Sequence, residues 1–364
     1  MNAAVDIAWF LAGLVLMIYG ANLLVRGASR LALMIGISPL VVGLTVVAFG
    51  TSAPEFAVSF KAAYADQASL CLGNVVGSNI FNILFILGIS SIVAPLVVSP
   101  QLIRFDLPLL IGVSLLTLLL GADGRYSRLD GALLFSGLLA YTGGLIYTSR
   151  KQRNAQPTED HVTQQRPRRS KGLQLAIDLG LIVIGLAMLV LGADWLVDTS
   201  VKFARWLEVS ELVIGLTIVA VGTSLPEVAT SIVASIKGER DIAVGNVIGS
   251  NLFNLLGVLG LASVVAPSGL EASQQALQFD IPVMIAVVIL ALPIFWTAST
   301  ITRVEGLVLL GCYVAYTIYL IMDATNNSAL SWYAGIMMYG VMPLTILWLV
   351  VTVFRARQII AAAD

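Results

Sequence analysis

One stretch of the sequence occurs twice. Residues 37–88 and 209–260 align at a constant offset of 172 without a gap, and 27 of the 52 pairs are identical. The longest matches pair LVVGLTVVAFGTSAPE with LVIGLTIVAVGTSLPE, and GNVVGSNIFNILFILG with GNVIGSNLFNLLGVLG. The identities concentrate on polar and small residues inside apolar runs, where packing alone would preserve only hydrophobicity. We therefore interpret the duplication as functional.

Apolar runs account for almost the whole chain. Only 11% of the residues are charged, against about 25% in soluble domains, which excludes a soluble globular protein. A helix needs about 20 apolar residues to cross the hydrocarbon core, and we interpret the first run as a retained helix rather than a signal peptide. The sequence predicts eleven spans: 6–25, 38–64, 70–95, 101–121, 129–148, 173–199, 210–236, 242–266, 277–297, 303–322 and 332–354.

Each copy of the repeat contains five spans. Because five is odd, the second copy enters the membrane from the opposite side, an arrangement typical of secondary transporters with a mid-membrane site. We expect an all-α polytopic membrane protein made of two inverted five-helix repeats with broken helices, plus one extra C-terminal transmembrane helix. The predicted segments are 1–148 for the first repeat, 149–172 for a basic cytoplasmic loop, 173–322 for the second repeat and 332–354 for the additional helix.

The basic residues predict the orientation. Fifteen of the twenty Lys and Arg residues fall on one side of these spans, and cytoplasmic loops hold such an excess. This bias places the protein in a cell (inner) membrane with the N-terminus outside. The loop and the C-terminus then lie in the cytoplasm. The net charge of −1 argues against a nucleic-acid partner. The expected partners are the lipid bilayer and inorganic cations. The charge pattern predicts no particular oligomeric state.

Two GTSxPE motifs lie in the middle of the second and seventh spans. Their prolines, Pro54 and Pro226, each remove a backbone donor and should break the helix. The following residues, Glu55 and Glu227, are costly in the hydrocarbon core, and no Lys or Arg lies at comparable depth. These glutamates are therefore either protonated or hold a cation.

Further oxygen donors accompany the glutamates. Asn82 and Asn254 each share one helix face with an Asn and a Ser, at four-residue spacing: Asn74, Ser78 and Asn82, and Asn246, Ser250 and Asn254. We favour cation binding for Asn82 and Asn254 over interhelical hydrogen bonding. Hydroxyls come from Thr51, Ser52, Thr223 and Ser224. An all-oxygen set suits Ca²⁺, which takes 6–8 such ligands, whereas soft metals require Cys or His. We expect Ca²⁺, Na⁺ or H⁺ as the transported species, with Mg²⁺ less favoured.

Smaller repeated features have structural interpretations. Gly73 and Gly77, with their equivalents Gly245 and Gly249, form small-xxx-small faces that predict close helix packing. The equivalent acids Asp6 and Asp178 open the first and sixth spans, and we interpret them as interfacial rather than as ligands.

These duplicated motifs resemble those of the calcium/cation antiporter superfamily, specifically its prokaryotic sodium/calcium exchanger branch, over residues 1–322. The resemblance implies two inverted five-helix repeats around a diamond-like cluster of ion sites, with Glu55 and Glu227 as central calcium ligands shared with sodium. It also implies that backbone carbonyls take part at outer and inner sodium sites. The remaining ligands that it implies are Thr51, Ser52, Thr223, Ser224, Ser78, Ser250, Asn82, Asn254 and the carbonyls of Ala48 and Ala220.

One departure from the family concerns Asn254, where many relatives carry an aspartate that is associated with potassium use. Potassium dependence is therefore not expected. The loss of a third carboxylate also leaves open whether protons replace Na⁺.

We expect a secondary antiporter that exchanges Ca²⁺ for Na⁺ by alternating access, with spans one and six as the moving helices. An H⁺/Ca²⁺ antiporter is the alternative. A cation channel is less favoured, because inverted broken helices fit alternating access better than a pore. An enzyme is not expected, since the one histidine, His161, lies in the loop. No GxxxxGK[ST] loop is present for a pump, and no cofactor is expected.

Overall fold

The computed structural model describes residues 3–155, 171–206, 220–296, 299–345, 347 and 351–352. The first repeat contains α1 (Ala3–Ile35), α2 (Pro39–Thr51), α3 (Ala53–Tyr64), α4 (Ala68–Val93), β1 (Leu96–Val97), α5 (Leu102–Asp123), β2 (Arg125–Tyr126) and α6 (Arg128–Ala155). The rest of the chain contains α7 (Lys171–Trp206), α8 (Ala220–Gly222), α9 (Leu225–Ile236), α10 (Arg240–Val265), β3 (Leu270–Glu271), α11 (Ala276–Trp296), β4 (Thr300–Ile301), α12 (Arg303–Ala324) and α13 (Leu330–Ile336).

The prediction of an all-helical membrane protein is confirmed. Eight described helices are long and apolar enough to cross a membrane, and the bent pair α2/α3 adds a ninth span. Helix ends follow local chemistry: Gly36, with φ of 69°, terminates α1, and Thr302 forms a capping box with Glu305 at the start of α12. The predicted spans 210–236 and 332–354 lie partly outside the described residues.

The first helices of the two repeats, α1 and α7, pack against each other in antiparallel fashion. A Cβ at Gly20 would lie 2.8 Å from the carbonyl oxygen of Gly185, and a Cβ at Gly13 would lie 2.8 Å from that of Gly192. Such contacts bring the two backbones close together. Because α1 and α7 occupy equivalent places in the repeat, their antiparallel packing means that the repeats are inverted.

Ion pairs lie at both ends of this helix pair. Arg30 of α1 is 4.0 Å from Asp178 of α7, and Lys202 of α7 is 3.5 Å from Asp6 of α1. The offset of 172 relates Asp6 to Asp178 and Arg30 to Lys202. The two acids therefore do lie at helix ends, and each pairs with a basic residue of the other repeat.

Two short antiparallel ribbons also join the repeats, a feature that the sequence did not predict. β1 pairs with β4 and β2 pairs with β3, so each ribbon takes one strand from each repeat. The span α5 separates β1 from β2, which puts the ribbons at opposite ends of the bundle.

The centre of the bundle is formed by α4 and α10, the helices that carry the GNVxGSNxFN motif. Their apolar stretches are 78% and 89% buried, against 28% in α1. The close packing predicted for the second glycine pair is confirmed: a Cβ at Gly249 would lie 2.7 Å from the Leu44 oxygen, and one at Gly245 would lie 3.0 Å from the Leu40 oxygen. By the repeat offset, Gly73 and Gly77 are expected to pack against residues 212–219. This segment lies outside the described residues, so the close packing of the first glycine pair stays a prediction.

Candidate cation site

The first GTSxPE motif breaks its span as predicted. α2 ends at Thr51, α3 begins at Ala53, and the two axes differ by 48°. Pro54 occupies the first turn of α3, where its missing N–H costs no helical hydrogen bond. Glu55 lies in the same turn, buried with 1% of its surface exposed. The positive end of a helix dipole favours a negative charge at this position.

The second motif repeats this local structure. α8 ends at Gly222 and α9 begins at Leu225, with Pro226 in its first turn. Glu227 follows in that turn and is fully buried. Ala220, the predicted carbonyl ligand, is the first residue of α8. Both glutamates therefore lie at the start of a helix that follows a break.

The two breaks face each other and exchange hydrogen bonds. Ser224 Oγ donates to Glu55 Oε1 at 2.7 Å, and Ser52 Oγ donates to Glu227 Oε1 at 3.0 Å. Ser250 Oγ also donates to Glu227 Oε1, at 3.4 Å. Each carboxylate is thus supported by a serine of the other repeat, so the site is formed only when both repeats are present.

The threonines of the motifs are bound in the same crosswise manner. Thr51 Oγ1 donates to Asn246 Oδ1 at 3.0 Å, and Thr223 Oγ1 donates to Asn74 Oδ1 at 3.3 Å. Asn74 Nδ2 also donates to the backbone oxygen of Glu55 at 3.1 Å. The amide oxygens of Asn74 and Asn246 are therefore used in holding the threonines.

Four buried acceptor oxygens at predicted site residues have no hydrogen-bond partner among the described residues. They are Glu55 Oε2, Glu227 Oε2, Asn82 Oδ1 and Asn254 Oδ1. Leaving a buried acceptor unsatisfied costs about 1–3 kcal/mol, and more for a charged group. Hydroxyls elsewhere share this property, but a hydroxyl can also donate, whereas an amide oxygen or an ionised carboxylate oxygen can only accept. Such a set requires a donor or a cation.

The remaining predicted ligands adjoin this set but have protein partners. Ser78 Oγ donates to the backbone oxygen of Asn74 at 2.5 Å and accepts from Asn254 Nδ2 at 3.1 Å. The carbonyl oxygen of Ala48 accepts the Ser52 N–H at 3.0 Å and the Thr51 hydroxyl at 3.4 Å. These oxygens can complete a coordination shell, but the structure gives them other bonds as well.

The charge of the site comes from its two glutamates. In the described part of the chain no Lys or Arg forms an ion pair with Glu55 or Glu227. The pairs Arg30–Asp178 and Lys202–Asp6 lie at the ends of α1 and α7. No cluster of three or more His, Cys, Asp or Glu side chains occurs among the described residues either. Two carboxylates among neutral oxygens match the charge of one divalent cation with hard-ligand preference.

Two features of this site were not predicted from the sequence. Asn82 begins the π-helical turn Asn82–Ile86 of α4, and Asn254 lies in the π-helical segment Phe253–Leu259 of α10; such turns are frequent at functional sites. The buried Asn251 contacts Asn82, and the buried Asn79 contacts Asn254. Both asparagines end the GSN triplet that is identical in the two repeats, and this identity is the sequence signal that could have revealed them.

Comparison with known proteins identifies the family. The model of the family described as sodium/calcium exchanger protein matches residues 5–147 and 177–322, which include both breaks and both central helices. The chain belongs to this family. The predicted resemblance is therefore confirmed, and the two matched segments correspond to the two repeats on either side of the loop.

Relatives of this exchanger family cover most of the chain. The putative antiporter CaxA of Alkalimonas amylolytica is 38% identical over 307 residues, covering 84% of this chain and 95% of CaxA. The sodium/calcium exchanger MaX1 of Methanosarcina acetivorans is 33% identical, covering 85% and 97%. A solved structure of the sodium-calcium exchanger NCX_Mj, soaked with Na⁺ and Ca²⁺, superposes with a TM-score of 0.72 at 31% identity and covers 85% of this chain and 96% of that one.

Proposed function

We propose that this exchanger moves Ca²⁺ against Na⁺ across a cell (inner) membrane, at a site built around Glu55 and Glu227. The observation that carries the proposal is a set of four buried acceptor oxygens, contributed by these glutamates, Asn82 and Asn254, that have no hydrogen-bond partner within the described ranges. A cation satisfies all four at once. The names of MaX1 and NCX_Mj, which describe those proteins as sodium/calcium exchangers, support the same choice of ions.

The chemistry of the ligands favours Ca²⁺ as the divalent ion. Ca²⁺ accepts 6–8 oxygens at about 2.3–2.6 Å in flexible geometry, and the four partnerless oxygens supply the first of them. The further ligands in this proposal are the hydroxyls of Thr51, Ser52, Thr223, Ser224, Ser78 and Ser250 and the carbonyls of Ala48 and Ala220. Potassium is not a substrate in this proposal, because the neutral Asn254 replaces a carboxylate.

Competition for shared oxygens couples the two ions. Na⁺ and Ca²⁺ use the same carboxylates, so the site holds one kind of ion or the other. Alternating access then requires that the site open to one side at a time. The pair α1/α7 provides the moving part in this proposal, since its helices pack along each other by close glycine contacts. The N-terminus lies outside, and the 149–172 loop and the C-terminus lie in the cytoplasm.

Proton coupling is the second candidate, and the lack of a basic partner for Glu55 and Glu227 in the described part of the chain favours it. A carboxylate that loses its metal ion without a Lys or Arg nearby can take a proton instead. The two candidates differ in the gradient that drives Ca²⁺.

Flux in inverted membrane vesicles separates these possibilities. Vesicles loaded with Na⁺ should accumulate radioactive Ca²⁺ when diluted into Na⁺-free medium, and should stop when Na⁺ is equal on both sides. Accumulation that ignores Na⁺ but follows an imposed pH gradient would establish H⁺/Ca²⁺ exchange. Rapid Ca²⁺ conductance without either gradient would identify a channel.

Charge-neutral variants test the site itself. Glu55→Gln and Glu227→Gln keep an amide oxygen that can accept the serine hydrogen bonds, but each removes one negative charge. We expect each to reduce Na⁺-driven Ca²⁺ uptake by at least about tenfold, equivalent to 1.4 kcal/mol. Glu271→Gln is the matched control, because Glu271 is exposed in β3. Equal uptake by all three variants would exclude the site.

A further inference from the structure

Two buried asparagines outside the proposed ligand set lie next to the site. Asn79 of α4 and Asn251 of α10 are related by the offset of 172 and are 1% and 0% exposed. Each follows a site serine directly and precedes a site asparagine by three residues. The polar side chains of these two residues must be accounted for, because a buried amide without partners is costly.

Both asparagines accept hydrogen bonds from the site asparagines of the opposite repeat. Asn82 Nδ2 donates to Asn251 Oδ1 at 2.9 Å. Asn254 Nδ2 donates to Asn79 Oδ1 at 3.4 Å and to Ser78 Oγ at 3.1 Å. Asn251 is itself fixed, because its Nδ2 donates to the backbone oxygen of Asn79 at 3.3 Å.

These bonds determine which end of each site amide faces the ion. A side-chain amide presents two donors at nitrogen and only acceptors at oxygen. With the nitrogen of Asn82 bound to Asn251, its Oδ1 points away from that contact and has no hydrogen-bond partner in the part of the chain that the structure describes. Rotating the amide by half a turn would set two oxygens against each other and present N–H groups to a cation.

We propose that Asn79 and Asn251 are positioning residues that orient the amides of Asn254 and Asn82, so that only oxygen faces the cation. This inference rests on the proposed function, because it assumes that Asn82 and Asn254 bind the transported ion. Neither positioning residue contacts the ion.

The two halves of this device differ in strength. Asn82 has a single side-chain acceptor, Asn251, at 2.9 Å. Asn254 has two, and its bond to Ser78 is shorter than its bond to Asn79. Loss of Asn251 should therefore free one amide completely, whereas loss of Asn79 should leave the other amide bound to Ser78.

The experiment uses the full chain in Na⁺-loaded proteoliposomes and measures the KM for Ca²⁺. Asn251→Leu should raise KM about tenfold with kcat changed less than about twofold, and Asn79→Leu should raise it less. Asn251→Ala serves the same test if the leucine variant does not fold. An unchanged KM in folded Asn251 variants would overturn the proposal.

A carboxylate at position 82 separates orientation from packing. An aspartate has two equivalent oxygens and therefore has no orientation to select. On the background of Asn82→Asp, adding Asn251→Leu should no longer raise the KM for Ca²⁺, because it also removes an oxygen that faces the new carboxylate. An equal effect of Asn251→Leu on both backgrounds would show that Asn251 only packs, and would overturn the proposal.

Failure of the proposed site gives a different result. Asn82→Leu should itself raise the KM for Ca²⁺ if Asn82 binds the ion. If Asn82→Leu leaves KM unchanged, the ligand assignment is wrong and the positioning role falls with it. If Asn82→Leu raises KM while Asn251→Leu and Asn251→Ala do not, the ligand assignment stands and the positioning role alone is wrong.

Discussion

Ser224 and Glu55 belong to different repeats, yet the serine hydroxyl donates to the glutamate carboxylate at 2.7 Å. Ser52 makes the equivalent bond to Glu227 at 3.0 Å. Both bonds lie at helix breaks, where the chain turns from one short helix into the next. The exchange of donors means that each repeat supplies a carboxylate that the other repeat holds in position.

Removing one of these donors should weaken ion binding. We expect Ser224→Ala to raise the KM for Ca²⁺ by about tenfold, since a hydrogen bond to a charged group contributes about 1.5–3 kcal/mol. The control is Thr230→Val in α9, because the Thr230 hydroxyl is buried with no hydrogen-bond partner among the described residues and its loss should leave KM unchanged. Uptake kinetics in vesicles measure both, and a normal KM for Ser224→Ala would contradict the assigned hydrogen bond.

The contact between α1 and α7 should not tolerate a methyl group. A Cβ at Gly20 would lie 2.8 Å from the Gly185 carbonyl oxygen, so Gly20→Ala must push the two backbones apart. We expect a loss of about 1–3 kcal/mol, seen as a lower thermal unfolding midpoint in detergent. Gly180→Ala in the same helix pair is the control, because nothing lies within 4 Å of its Cβ. Equal midpoints for both variants would refute the close contact.

The Arg30–Asp178 pair should contribute more to stability than the Lys202–Asp6 pair. The Asp178 side chain is 1% exposed and that of Asp6 is 10% exposed. Arg30→Gln leaves a buried carboxylate whose remaining partner among the described residues is the Gln174 amide. This should cost about 3 kcal/mol, against about 1 kcal/mol for Lys202→Gln. Thermal unfolding measures the difference. Adding Asp178→Asn to Arg30→Gln should restore part of the loss, and a further loss would argue against the pairing.

The proposed orientation predicts opposite labelling at the two ribbons. Val97 in β1 is 43% exposed, and Arg125 in β2 is exposed. In a chain whose native Cys71 and Cys312 are replaced by alanine, a membrane-impermeant maleimide should label Arg125→Cys in intact cells. It should label Val97→Cys only after the membrane is permeabilised. The reverse pattern would invert the assigned topology.

The sequence predicted the fold well because hydrocarbon restricts the possibilities. Apolar length defined the spans, and the odd number of spans in each repeat required inversion. Pro54 and Pro226 located both breaks, since an interior proline removes a backbone donor and kinks or breaks a helix. The ribbons were not predicted because strands of two residues, such as Leu96–Val97, carry no period that could be recognised.

The candidate site was predicted in part. Mid-span depth, a helix break and duplication together distinguished Glu55 and Glu227, because a charge in the hydrocarbon core is costly without a partner. Asn79 and Asn251 were missed because a buried asparagine is consistent with many contacts, and only the structure shows which amide it meets. The crosswise hydrogen bonds depend on tertiary packing, which spacing within one helix does not reveal.

The crosswise construction has a consequence for synthesis of the protein. When the ribosome has completed the first repeat, β1 and β2 have no strands to pair with, and Ser224 has not yet been made. Glu55 therefore lies in the membrane without the Ser224 hydrogen bond until the second repeat inserts in the opposite direction. The first repeat therefore cannot complete its ribbons or this hydrogen bond until the second repeat has been inserted.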